Sequence, residues 1–156
     1  PQDQSIRDLV AKMKLIPIKK LIEGNKILFC EDSIVRGTQL QDNIQILYDF
    51  GAVEVHMRPA CPTLIYPCEF LNFSTSRSTL DLAGRKAIKE LEGTEDIQLH
   101  EYAATNSEKN VAMVDRIRKR LRLTSLKYQQ LEHLVDAIGL PKEKLCTHCW
   151  DGSSYF

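Results

Sequence analysis

KILFCEDSIVRGT, residues Lys26 to Thr38, places a β-forming run before two adjacent carboxylates, a loop of small residues and the start of a helical pattern. Ile27, Leu28, Phe29 and Cys30 are strand formers, and Glu31 and Asp32 follow at the strand end. Thr38 can N-cap the helix that comes next, and Gly37 lets backbone approach a ligand closely. A helix N-terminus offers unpaired N–H groups and a positive dipole end to a phosphate. The acidic pair is placed to accept hydrogen bonds from vicinal hydroxyls or to help hold a divalent cation. Together these features suit a sugar phosphate. The plain alternative is an ordinary βα turn in which a carboxylate caps the helix.

Outward from this stretch the pattern reads as α/β. Leu40, Ile44, Leu47 and Tyr48 form a helical stripe that closes at Phe50-Gly51, and Val53 to Met57 alternates as a second strand. Strand, helix and strand within about 30 residues make a βαβ unit, which requires parallel strands. Ligands of such sheets sit beyond the carboxyl ends of the strands, where Glu31 and Asp32 fall. Upstream, Ile6, Leu9, Val10 and Met13 predict a helix over roughly Gln4 to Lys12, with a turn at Gly24-Asn25. Downstream, Pro59, Pro62 and Pro67 force an extended path. Leu80, Ala83, Ala87 and Leu91 predict a helix ending near Gly93. The polar segment Thr94–Lys109 reads as a flexible insertion, followed by a basic helix to about Leu121. Leu126 to Tyr128 reads as a short strand. A last helix carries Leu131, Leu134, Val135 and Ile138 and stops at Gly139 and Pro141.

A chain of 156 residues with 43% hydrophobic side chains fits one domain with a core. Its 21 basic and 21 acidic residues cancel, which gives no electrostatic footprint for nucleic acid. The basic run Arg116–Arg122 interleaves with Val114, Ile117 and Leu121 and reads as a solvated helix face. No apolar run approaches the roughly 18 residues of a membrane span, and no signal peptide precedes the first charges. Five cysteines, an odd number, argue for reduced thiols or metal ligation over a disulfide framework. The expectation is a soluble, cytoplasmic chain without nucleic-acid or membrane partners.

The wording Glu31-Asp-Ser-Ile-Val-Arg-Gly-Thr38 after a hydrophobic strand resembles the phosphoribosyl-pyrophosphate (PRPP) motif of the type I phosphoribosyltransferases. Ser-Ile-Val-Arg-Gly is closest to the glutamine-dependent branch of that family. Arg58-Pro-Ala-Cys-Pro-Thr-Leu-Ile-Tyr-Pro-Cys68 resembles that branch's stretch after the next strand, and Cys146-Thr-His-Cys149 resembles its C-terminal cysteine pair. The resemblance covers nearly the whole chain and is weakest between about Glu92 and Thr124.

That resemblance implies a parallel-sheet, type I phosphoribosyltransferase-like α/β fold. Because only about 25 residues precede the motif, residues 1–156 read as the C-terminal portion of such a domain, without its first strands or the glutaminase domain. The implied reaction joins glutamine-derived ammonia to PRPP, giving 5-phosphoribosylamine and opening de novo purine synthesis, in a homo-oligomeric full-length enzyme. The fragment alone is expected to be unable to use glutamine and poor with ammonia. By the same resemblance, Glu31 and Asp32 bind the ribose hydroxyls and position Mg²⁺. The backbone from Val35 to Thr38, with the Ser33 and Thr38 hydroxyls, cradles the 5-phosphate. Glu31 stands where sister sequences have Asp, and the charge is kept. Arg36 either charges the phosphate site or projects into solvent. Lys12, Lys14 and Pro17 fall where the family has a mobile loop, which makes Lys14 the candidate catalytic contact to pyrophosphate or else an ordinary exposed lysine.

The same resemblance implies that Cys68, Cys146 and Cys149 match three ligands of the [4Fe–4S] cluster found in some, but not all, forms of the family, with the fourth from outside this chain. A Zn²⁺ site sharing His148 is the other option for the Cys pair. Cys30 and Cys61 read as small buried apolar side chains, and His56, His100 and His133 as structural. Two other functions are consistent with the residues: a type I phosphoribosyltransferase that acts on a base, or a PRPP-binding module without catalysis.

Overall fold

The computed structural model describes residues 16–68, 70 and 79–153. The expected helix over Gln4–Lys12, together with Lys14, lies outside the described residues. A short helix α1 (Lys19–Ile22) leads into β1 (Lys26–Glu31), and α2 (Thr38–Asp49) crosses to β2 (Glu54–Pro59). The two strands are parallel, with Lys26 beside Glu54 and Glu31 beside Pro59. After α3 (Ala83–Glu92), α4 (Leu99–Ala103) and α5 (Glu108–Arg120), β3 (Ser125–Leu126) pairs parallel to the other side of β2. The sheet order is β1-β2-β3. Two further helices, α6 (Leu131–Ile138) and α7 (His148–Asp151), complete the chain.

Strand alternation decides which face is core. Val55 and Met57 on β2 are fully buried, and Ile27 and Phe29 on β1 pack against the same cluster. Leu40, Ile44 and Leu47 of α2 meet them there, with Ala87 and Ile88 of α3 and Met113 and Ile117 of α5. The opposite face is open: Leu28 is 62% exposed. Cys30 shares that face and is exposed, so it is not the buried apolar side chain its composition suggested. Period-two alternation sets it with Lys26 and Leu28, away from the helices.

The strands run further than their hydrophobic alternation. β1 includes Glu31, and β2 continues to Pro59, whose missing N–H costs nothing at a strand end. β3 covers Ser125–Leu126 and stops short of Tyr128. The Thr94–Lys109 segment is not a loose insertion. Tyr102 on α4 is 1% exposed and donates its hydroxyl to Glu92 at 2.7 Å. Ser107 then N-caps α5, accepting from the Asn110 amide at 3.0 Å. One aromatic anchor in a polar stretch leaves no periodicity to read. Among the described residues no helix is long and apolar enough to cross a membrane.

Candidate functional site

Glu31 is the last residue of β1, half-buried, and Asp32 beside it is exposed. The strand end is pinned where the Ala60 amide donates to the Glu31 carbonyl at 2.9 Å. Ser33 donates its hydroxyl to Asp32 at 3.2 Å. Ile34, 2% exposed, drops into the core and anchors the loop from behind. The Val35 carbonyl is held by the Ala83 amide at the start of α3, at 2.7 Å. The loop therefore has a fixed back and an open front. That front is a cavity of about 900 Å³ lined by residues 31–38, with Leu40 and Asn43 from the first turns of α2.

One expectation for this loop changes in the structure. Thr38 does not N-cap α2: it is the first helical residue, and the cap position belongs to Gly37, with no side-chain cap bond. The first-turn amides of α2 are thus left to an external acceptor. Gly37 lines the cavity and has a left-handed φ of 78°, and a Cβ there would point inward at Leu121, 3.4 Å away. Arg36 also lines the cavity and is exposed. Its guanidinium lies 3.7 Å from Asp81, a partner that no sequence signal marked.

The C-terminal cysteines fold back onto the proline-rich exit of β2. The Ile65 and Tyr66 amides both donate to the Cys149 carbonyl, at 2.9 and 3.1 Å. Cys68 is buried, Cys149 half-buried and Cys146 exposed. Burial pushes the Cys149 thiol up to about 12, with the neighbouring Cys68 and then Cys146 adding to the shift. Among the described residues, however, no three His, Cys, Asp or Glu side chains gather closely enough to hold a single metal ion. That argues against a zinc site shared with His148, whose ring instead stacks obliquely on Tyr66 at 5.7 Å.

Cys61 is half-buried and belongs to neither group. Burial raises its thiol, contact with Trp150 opposes this, and the charge of Asp32 adds to it. Of the histidines, His56 is held between Ser125 and Glu54 at 2.8 Å each, a structural role, and His100 is exposed.

The structure is an α/β domain whose parallel sheet carries an acid pair at a carboxyl strand end, ahead of an uncapped helix N-terminus. No protein-family model matches the chain. Among curated proteins it is 34% identical over 149 residues to the amidophosphoribosyltransferase of Methanothermobacter thermautotrophicus, covering 96% of this chain and 26% of that one. The enzyme of the same name from Methanocaldococcus jannaschii is 32% identical over the same share of each. Among solved structures, the glutamine PRPP amidotransferase of B. subtilis, complexed with ADP and GMP, has a TM-score of 0.61 and 23% identity, over 100% of this chain and 30% of that one. A structure described as the allosteric regulatory enzyme of purine biosynthesis has a TM-score of 0.62 and 22% identity, over 98% and 28%. This chain is homologous to amidophosphoribosyltransferases along nearly all of its own length. It spans about a quarter of the length of the curated relatives it matches.

Proposed function

We propose that the chain is the PRPP-binding part of an amidophosphoribosyltransferase, a pentosyltransferase that joins glutamine-derived ammonia to PRPP and so opens de novo purine synthesis. What carries the reading is the acidic pair at the end of β1, facing an open cavity in front of the bare N-terminus of α2, in a chain whose curated relatives bear that enzyme's name. Glu31 and Asp32 accept hydrogen bonds from the two ribose hydroxyls and so fix the ring. The amides from Val35 to Thr38, with the Ser33 and Thr38 hydroxyls, hold the 5-phosphate against the helix dipole. Departure of pyrophosphate leaves positive charge on the ribose, as at other glycosidic carbons, and carboxylates bonded to the ring hydroxyls favour that charge electrostatically. Glu31 and Asp32 would help hold Mg²⁺, which would supply neutralisation of the departing pyrophosphate.

Lys14, the pyrophosphate contact in this reading, belongs to the segment outside the described residues. Cys68, Cys146 and Cys149 would supply three thiolates to a [4Fe–4S] cluster, with the fourth from elsewhere in the assembled enzyme. Residues 1–156 act as the C-terminal portion of the phosphoribosyltransferase domain of a cytoplasmic, homo-oligomeric enzyme.

Isothermal calorimetry of the chain with PRPP in the presence of Mg²⁺ tests the reading. Saturable heat is expected, weakened at least about tenfold in Asp32→Asn, the loss of a charge-assisted contact. No heat from the native chain, or unchanged heat in that variant, would overturn it.

A further inference from the structure

Behind Cys61 the carboxyl ends of β2 and β3 open onto a second cavity of about 450 Å³, in the size range of small-molecule sites. Its walls come from the exit loop of β2, from α4 and α5, from the segment following β3, and from α7. Ile65, Val114 and Leu126 give it an apolar floor, and Tyr128 and Trp150 give it flat aromatic sides. The Tyr128 hydroxyl and the Trp150 indole N–H are both buried without a hydrogen-bond partner. Thr63 and Cys61 lie near enough to influence them but outside hydrogen-bonding geometry. Buried polar atoms are almost always paired, and two orphans in one cavity wall are costly unless something occupies it.

Both orphans serve as donors. An indole N–H can do nothing else, and burial pushes the Tyr128 phenol up, so its oxygen keeps its proton. Charge gives a second constraint. Asp115 and Arg118 on the wall already pair with each other at 2.9 Å, and Arg118 also donates to the Leu123 carbonyl at 3.0 Å. Lys127, the remaining charge of the lining, is exposed. Nothing inside the cavity asks for an ion.

We propose that this cavity binds a flat, uncharged heteroaromatic molecule whose ring-edge acceptor atoms take the Tyr128 O–H and the Trp150 N–H. The site goes beyond the phosphoribosyl reading and does not depend on it. It opens, like the acidic loop, beyond the carboxyl ends of the strands.

Trp150 is the single tryptophan of the chain, so its side-chain N–H gives one resonance in a ¹H–¹⁵N spectrum. The labelled chain is titrated with quinoxaline, a two-ring molecule with two acceptor nitrogens, and separately with indole, of similar size but without a ring-nitrogen acceptor. Quinoxaline should move the Trp150 resonance saturably, with a Kd of about 1 mM or tighter. Indole should bind at least about threefold more weakly. Tyr128→Phe should weaken quinoxaline about 3- to 10-fold, the worth of one hydrogen bond. Val111→Tyr, at an exposed α5 position on the lining, should abolish quinoxaline binding with the circular dichroism unchanged. If Tyr128→Phe fails to fold, Val111→Tyr alone decides. No saturable shift, indole as tight as quinoxaline, or quinoxaline binding intact in Val111→Tyr each overturns the proposal.

Discussion

The acidic loop takes its lining from residues 31–43, while the cavity behind Cys61 takes its walls from the exit of β2, α4, α5, the segment after β3 and α7. The loop presents exposed polar groups at the front and is tied to the core by Ile34 and by one hydrogen bond from Ala83. The exit of β2 is held on several sides at once. Arg85 of α3, 4% exposed, donates to the Ile65 carbonyl at 2.6 Å and to the Glu95 carbonyl at 2.9 Å, and pairs with Asp96 at 2.6 Å. Its guanidinium also lies 5.6 Å from the Tyr66 ring centroid. Gly84 lets α3 approach so closely that a Cβ would meet the Leu64 carbonyl at 2.7 Å. From the other side, α7 receives the Ile65 and Tyr66 amides. The difference teaches where stability and ligand chemistry should reside: the first region is expected to tolerate a change of charge, and the second to loosen when one of its shared contacts is lost.

The largest effect should come from Gly84→Val. With backbone, and not a flexible side chain, in the way, overpacking should cost about 3 kcal/mol or more, or prevent folding, as read by denaturant unfolding. A loss under about 1 kcal/mol would mean that α3 does not fix the β2 exit. Arg85→Met keeps the stem but leaves the Ile65 and Glu95 carbonyls unpaired, and should cost about 2–3 kcal/mol in the same measurement.

Asp151 gives the next effect, through pH. Burial opposes its ionisation, but Lys142 at 2.8 Å, Ser153 and the buried Thr147 outweigh it and hold the carboxyl down at about 2. A pKa lower in the folded than in the unfolded chain stabilises above about pH 4, and that stability is lost as pH falls towards 2. Of order 1 kcal/mol, allowing for partial exposure, should disappear across that window. The fluorescence of the neighbouring Trp150 reports it, and Asp151→Asn should flatten the change. The smallest stability effect belongs to the acidic loop. Asp32→Asn should shift the unfolding free energy by no more than about 0.5 kcal/mol while weakening PRPP binding, so a large destabilisation there would erase the contrast between the regions.

Much of the first region was legible because it is local. Period-two alternation marked β1 and β2, the 3.6-residue stripe marked α2, and the acid pair stood at their junction. One local detail went astray, Thr38 as a cap, because the left-handed Gly37 takes the cap position and the helix begins at Thr38 itself. Cys30 was misplaced for a related reason: hydrophobicity alone does not say which face of a strand the helices cover. Tyr102 showed no periodicity because it is a single anchor, and nothing in the order of residues joins Arg36 to Asp81 or Tyr128 to Trp150.

The order of residues determined the parallel strand–helix–strand path, the polarity that puts two acids at a carboxyl strand end, and an apolar stripe to bury behind them. Those properties follow from torsional preference and side-chain period, which act over a few neighbours. Only the tertiary structure decided that the cysteines fold onto the β2 exit, that Asp81 holds Arg36, and that two orphaned donors share one cavity. These contacts join segments tens of residues apart, and burial and hydrogen-bond satisfaction across the whole core select them together.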